Sequence, residues 1–265
     1  MRETWRLYKH YIGISMRGQM QYRASFLMLV AGFVLTTVVE FLGIWALFAR
    51  FGNLKGWSLA EVAMFYGVTH LAFAFAEIFG RGFDTFPNLV KTGDFDRLLV
   101  RPRSTILQVI GTEISLMRIG RILQALPILL WAMHATGTVW TVGKALLLVG
   151  AIAGGASLFM GLFIMQAALS FWTIESLEIA NILTHGGTET GQYPLDIYRF
   201  WFRTFFTFLV PLACANVLPL NVILDRPNAL PVVVGALSPL LGLFFLGLGL
   251  LSWRQGVRHY HSTGN

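Results

Sequence analysis

Ala24-Ser-Phe-Leu-Met-Leu-Val-Ala-Gly-Phe-Val-Leu-Thr-Thr-Val-Val-Glu-Phe-Leu-Gly-Ile-Trp-Ala-Leu-Phe48 runs for 25 residues with one ionisable side chain, Glu40. An α-helix crosses the roughly 30 Å hydrocarbon layer of a bilayer with about 20 residues, so this stretch is long enough to span. Its energetics favour insertion. Glu40 costs about 2.5–3.5 kcal/mol if ionised at the bilayer centre, whereas each Leu, Ile, Phe or Val favours insertion by roughly 0.3–0.6 kcal/mol. The thirteen such residues between Phe26 and Leu47 outweigh it, at about 4–8 kcal/mol together. Glu40 should then face protein or water rather than lipid.

The rest of the chain repeats this pattern. Further apolar runs lie near residues 62–79, 116–133, 142–172, 201–220 and 232–253, which predicts six transmembrane helices in an all-α integral membrane protein. Of the 265 residues, 55% are hydrophobic and 12% charged, against roughly 25% charged in a soluble domain. Mean hydropathy is +0.64. A soluble globular enzyme, a disordered chain and a disulfide-stapled secreted domain are all excluded. The one cysteine, Cys214, cannot form an internal disulfide and sits in an apolar run. Arg118 and Arg121 fall in the first turns of the third run, and are expected to extend into water and snorkel to headgroups. The fourth run is longer than one crossing needs; it should tilt, break near Gly154-Gly155 or protrude. Gly150 and Gly154 form a G-x-x-x-G element suited to close helix approach. With no fixed-period repeat and no long linker, residues 1–265 read as one membrane domain.

Basic residues set the expected orientation. Arg2, Arg6, Lys9, Arg17 and Arg23 precede the first run; Arg81, Lys91, Arg97, Arg101 and Arg103 follow the second. Arg199 and Arg203 precede the fifth, and Arg254 and Arg258 follow the sixth. The other side carries Arg50, Lys55, Lys144 and Arg226. By the positive-inside rule the richer side is cytoplasmic, with both termini inside. The net charge of +7 then reflects orientation and anionic lipid, not nucleic acid. Within residues 1–23, Trp5, Tyr8, Ile12 and Met16 recur at helical spacing beside basic residues, which suits a helix lying in the cytoplasmic interface; a plain orienting flank is the alternative. No cleavable signal precedes it.

Catalytic patterns are missing. The six histidines are scattered, with no H-E-x-x-H pair, and no G-x-S-x-G turn occurs. Gly143-Lys144 lacks the glycine and the Ser or Thr of a phosphate loop, so this chain is not expected to hydrolyse nucleotide, and any ATP-driven work needs another polypeptide. Within the runs, His70 and Glu77 stand seven apart on one helical face. With Glu40 they could line a polar path, or simply be satisfied by neighbouring helices.

The loop Arg81-Gly-Phe-Asp-Thr-Phe-Pro-Asn-Leu-Val-Lys-Thr-Gly-Asp-Phe-Asp-Arg-Leu-Leu-Val-Arg-Pro-Arg103 carries the clearest local signal. Asp84 or Thr85 can cap a helix, Pro87 suits its first turn and Gly93 its end. The result is a two-turn helix with Phe86, Leu89 and Val90 on one side, followed by Asp94, Asp96 and Arg97. Such a helix suits either a groove on a soluble partner or the membrane surface.

Gly93-Asp-Phe-Asp-Arg-Leu-Leu-Val-Arg-Pro102 resembles the G-x-[LF]-D-x-x-L-x-[RK]-P loop of a branch of type-two ABC exporter permeases. Gly191-Gln-Tyr-Pro-Leu-Asp-Ile-Tyr198 is similar to that branch's Y-P-x-x-I-Y segment, and Tyr260-His-Ser-Thr-Gly264 to its terminal Y-x-S-T-G. The resemblance implies an interfacial N-terminal helix, six spans and a cytoplasmic coupling helix that seats against a separate ATP-binding subunit. Two permease chains, identical or homologous, would join an ATPase dimer that binds the ATP and magnesium; this chain would bind no cofactor. Location would be the inner or plasma membrane. In such permeases the segment between the fifth and sixth spans often dips back as short helices; Pro211, Pro219, Asp225, Arg226 and Pro227 fit such an interrupted connection or, equally, a plain loop. Carried onto this chain, Phe86, Leu89 and Val90 would fill the ATPase groove and Arg97 would meet an acidic rim, with Asp94 and Asp96 either touching the ATPase or holding the loop. The rival reading is an ion-coupled secondary carrier relaying protons through Glu40, His70 and Glu77.

Overall fold

The computed structural model describes residues 12–14, 16–173, 177–227 and 230–260. Most of the expected interfacial segment, including Trp5 and Tyr8, lies outside the described residues, as do residues 261–264 of the C-terminal motif. Among the described residues β-structure is confined to one bridge, Leu54–Trp57. In chain order the helices are α1 (Arg23–Phe51), α2 (Leu59–Asp84), α3 (Phe86–Lys91), α4 (Phe95–Leu99), α5 (Thr105–Thr112) and α6 (Ile119–Ala135). Then come α7 (Val142–Leu169), α8 (Leu177–Gly191), α9 (Phe200–Thr204), α10 (Leu212–Ala215), α11 (Val217–Ile223), α12 (Val232–Leu237) and α13 (Leu240–His259).

Five helical stretches are long and apolar enough to cross a membrane: α1, α2 with its continuation, Leu116–Ala135, α7 and α13. They match the first four and the sixth expected spans. The sixth starts at Leu240, because the Ser238-Pro239 step ends α12. α2 is the hub, 89% buried over its apolar window, between α6 and α7, whereas α1 is 11% buried and lies on the outside against α6. The lipid-like surface of α1, with Leu27, Leu35, Val39 and Trp45 exposed, suits that place.

The end of the bundle bearing Trp57 is called upper here, and the end bearing the 81–103 loop lower. At the upper end a capping box starts α2: the Ser58 side chain accepts from the Glu61 amide, and the Glu61 carboxylate accepts from the Ser58 amide at 2.9 Å. Arg226 then donates to both Glu61 oxygens, at 2.7 and 2.8 Å, and stands over the Trp57 ring. α7 and α13 cross where glycines meet. A Cβ on Gly242 would lie 2.0 Å from the Gly154 carbonyl oxygen, and one on Gly249 would lie 2.8 Å from that of Gly161. Gly150 faces open space, so only half of the expected G-x-x-x-G element is used. α7 continues unbroken through Gly154-Gly155, since neighbours press on both glycines and leave no room for a kink.

The fifth expected span, 201–220, requires a correction. Phe200–Leu209 and Leu212–Ile223 meet at 69° across Val210-Pro211. Both ends of this stretch sit at the upper end of the bundle. Before it, the Asp196 carboxylate accepts from Trp57 Nε1 at 3.1 Å, and its carbonyl accepts from Lys55 Nζ at 3.1 Å. After it, Arg226 holds Glu61. The middle lies deeper, with Leu212 beside Gly187 and Ala215 beside Gly155. The segment therefore enters and leaves from one face, as a re-entrant hairpin.

The passage from lower to upper end is made by α8. It starts a few residues after α7 finishes, and at its top the Gly191 carbonyl accepts from Thr69 Oγ1 and Asn216 Nδ2, both at 2.8 Å. Its 15 residues rise about 22 Å, and the run to Asp196 completes the climb. Hydropathy hides it, because Asn181, Thr184, His185, Thr188, Glu189 and Thr190 fall within it. Thr188 and Thr190 return their hydroxyls to backbone carbonyls one turn back, which makes them tolerable at this depth. Arg199 and Arg203, expected at the basic end, follow Asp196 at the upper end instead.

Candidate functional site

The lower loop begins as its sequence suggests. Thr85 occupies the N-cap position of α3, Pro87 its first turn, and Gly93 takes a φ of +73° that reverses the chain into α4. The Thr85 hydroxyl, however, donates to the Arg81 carbonyl at 3.3 Å and to Glu113 Oε2 at 3.2 Å, not to its own helix. Asp84 pairs with Arg81 and accepts from Gln166 Nε2 at 3.3 Å, tying the loop's start to α7.

Aromatic rings fasten the loop to the bundle. Phe86 meets Phe95 at 5.0 Å, Phe171 at 5.2 Å and Trp253 at 4.7 Å between centroids. Phe95 also meets Tyr260 at 5.0 Å, and Trp253 Nε1 donates to Thr105 Oγ1 at 3.0 Å. Gln108 closes the far side, donating to the carbonyls of Leu98 and Arg103 at 3.0 and 3.2 Å. The assignment of Phe86 and Val90 to a partner's groove is therefore corrected: Phe86 is fully buried, Val90 is buried and Leu89 half-buried, all against their own chain. A helix this short packs its apolar face onto the nearest apolar surface, here the lower ends of α7 and α13. What faces outward is Arg97, Leu99, Val100 and the following basic residues, with Val100 83% exposed. Asp94 accepts from Thr92 Oγ1 at 2.8 Å and pairs with Arg97 Nη1 at 3.2 Å, so it holds the loop's shape. Asp96, half-buried, belongs to the same turn.

Deeper in the bundle, ionisable groups from four helices converge. Glu77 on α2 pairs with Arg118 Nη1 at 3.1 Å and Arg121 Nε at 3.5 Å, all three side chains largely covered. This corrects the expectation that these arginines snorkel to headgroups; a buried carboxylate draws them inward. Arg121 Nη1 reaches His70 Nδ1 at 3.4 Å, and His70 Nε2 reaches Gln192 Oε1 at 3.5 Å. A guanidinium only donates, so Nδ1 is the acceptor and Nε2 carries the hydrogen given to Gln192. Gln192 Nε2 in turn donates to Glu189 Oε2 at 2.6 Å. Tyr66 stacks on His70 at 4.0 Å and donates to the Thr37 carbonyl at 2.9 Å. Glu40 sits at the edge of this network, within electrostatic range of Arg121 and Glu189, and its Oε2 has no hydrogen-bond partner among the described residues.

A family model described as "ABC-2 family transporter protein" matches residues 34–264. The chain belongs to the ABC-2 transporter family. No match was found among curated proteins or among solved structures. Within this ABC-2 protein, His70 and Glu77 belong to one chain of contacts and Glu40 borders it, while the loop residues form a separate site at the lower end. Sequence reasoning missed Arg118, Arg121, Glu189 and Gln192 as members. One signal was available: two arginines three apart at the start of one span, facing an apolar neighbour span whose one acid at that depth is Glu77.

Proposed function

We propose that this ABC-2 protein is the permease subunit of an ATP-driven exporter, paired with a second permease chain and coupled through residues 81–103 to a separate ATPase that holds ATP and magnesium. The observation behind this reading is the loop's two-sided build. Its inner side is clamped by Phe86, Phe95, Phe171 and Trp253, while Arg97, Leu99 and Val100 are exposed on its outer side. A push on the outer side is passed directly to α7 and α13, because a close-packed ring cluster transmits displacement with little compression. Arg97 and Arg101 suit an acidic rim, and Leu99 and Val100 suit an apolar notch, on the ATPase; Leu89 borders that face, and Asp94 and Asp96 keep its shape.

The lower end is placed in the cytoplasm of a plasma or inner membrane. Arg81, Lys91, Arg97, Arg101, Arg103, Arg254 and Arg258 gather there, against Arg50, Lys55, Lys144, Arg199, Arg203 and Arg226 above. The described chain both begins and ends toward that end, with Gln19 bonded to Leu116 and Tyr260 packed on Phe95. A proton-relay carrier is disfavoured, because Glu77 is committed to two arginines and His70 Nδ1 to a third contact with one of them.

Purification of the tagged protein from its own membranes tests this. The parent should bring an ATPase chain with it, and Arg97→Glu with Val100→Asp should lose that chain at equal membrane yield. Retention of the ATPase and of transport by the double variant would refute the assigned contact; absence of any ATPase from the parent would refute the exporter reading.

A further inference from the structure

Between α7, α8, α13 and the turn of the re-entrant hairpin, in the lower half of the bundle, lies a cavity of about 650 Å³. Its walls include Met165, Leu169, Leu183, Leu209, Phe245 and Leu248. The hydroxyls in the wall are spent internally: Ser252 donates to the Leu248 carbonyl at 3.0 Å and Thr184 to that of Asn181 at 3.5 Å. Besides these, Gln166, whose Oε1 has no hydrogen-bond partner among the described residues, and Gln255 at the rim also line it. A polar solute would find few partners there, and water needs two to four. The volume falls in the range of ligand pockets, roughly 300–1,000 Å³.

The mouth has a different chemistry. Trp172 and Gln255 line the cavity at its lower rim, and Trp172, half-exposed, stacks on His259 at 5.6 Å. Arg258, exposed, stands three residues after Gln255 and so neighbours it on the same side of α13, whereas Arg254 lies on the other side of that helix. A tryptophan at headgroup depth with a cation beside an apolar slot is the arrangement that takes a lipid by its tail and its phosphate.

We propose that this cavity is a resident phospholipid site: an acyl chain of an anionic lipid from the lower leaflet fills it, with the headgroup phosphate at Arg258. The chain would then lie against the hairpin turn at Leu209 and Val210, which lines the cavity. The proposal is independent of ATP coupling, requiring only that the protein spans a membrane.

The test uses the full-length protein in detergent, stripped of lipid and titrated with phosphatidylglycerol or phosphatidylcholine, with bound lipid counted by native mass spectrometry. The parent should hold one phosphatidylglycerol in preference to phosphatidylcholine. Arg258→Gln should weaken it about fivefold, the worth of one cation near an anionic surface, and Arg254→Gln, on the other side of α13, should leave it unchanged. Ser252→Trp, which puts an indole into the slot, should abolish binding, as should Leu169→Trp at its edge; Leu146→Trp, exposed on the upper part of α7, should change nothing. Two filling variants guard against one that fails to fold, with unaltered size-exclusion elution as the check. Undiminished lipid binding in a folded filling variant overturns the proposal. So does equal binding of the two lipids, or a change of oligomeric state with lipid retained, which would make the cavity an interface between copies.

Discussion

Phe86→Ala separates the packing seen here from the groove-filling role that the loop's pattern suggests. The Phe86 side chain is wholly covered, and three aromatic rings stand within about 5 Å of it, centroid to centroid. Truncating a buried phenylalanine costs about 3–5 kcal/mol, and the ring pairs, each worth about 0.5–1.5 kcal/mol beyond area, place this site in the upper part of that range. All of the loss falls on the docking of α3 and α4, because the rings on the far side belong to the ends of α7 and α13. The undocked population of the loop should therefore rise by roughly three to three and a half orders of magnitude. The assay is amide hydrogen exchange over residues 86–99 of the protein in lipid nanodiscs, paired with tryptic cleavage after Lys91 and Arg97. Both should accelerate strongly in Phe86→Ala and remain at parental rates in Val100→Ala, whose side chain is exposed. If Phe86→Ala leaves exchange and cleavage unchanged while weakening ATPase association, the ring faces the partner and the packing argument fails.

Two further outcomes follow from the bundle. Glu77→Gln leaves two largely covered guanidinium groups without their carboxylate and should destabilise the protein by about 3–5 kcal/mol, whereas Asp94→Asn, in a more exposed pair, should cost about 0–1 kcal/mol. Thermal unfolding in detergent checks this, and a Glu77→Gln protein as stable as the parent would show that the pairing is not formed. In a background where Cys214 is replaced by alanine, cysteines at Asn53 and Asp196 should react with a membrane-impermeant maleimide from the same side, and one at Arg97 from the other. Labelling of positions 53 and 196 from opposite sides would restore 201–220 as a true crossing.

Much of this fold is legible along the chain because the bilayer imposes a simple demand. A crossing helix must be apolar over about 20 residues, and α1, α2, α6, α7 and α13 announce themselves by that measure alone. The start of α3 at Thr85-Phe-Pro and the reversal at Gly93 are equally readable, since proline and glycine act on the backbone directly. α8 escaped because the demand relaxes for a helix sheltered by others. With α2 and α7 beside it and its threonine hydroxyls bonded to its own backbone, it can bury Thr184, Thr188 and Thr190 where a lone helix could not, while His185 and Glu189 lie on its exposed side. The hairpin was mistaken for a crossing for the converse reason: it is apolar enough to lie in the membrane without traversing it.

Composition, charge placement and local motifs were sufficient to determine a multi-span helical membrane protein with a structured basic loop, and the ABC-2 family match agrees with that. Partners across the chain were beyond their reach. That Arg118 and Arg121 turn inward to Glu77, that Phe86 packs onto its own chain, and that the passage to the upper end is α8 are settled by residues 41 to 167 positions apart. Hydropathy sums the environment that one residue prefers, whereas a buried ion pair or ring cluster depends on which other residue arrives beside it, and only packing in three dimensions decides that.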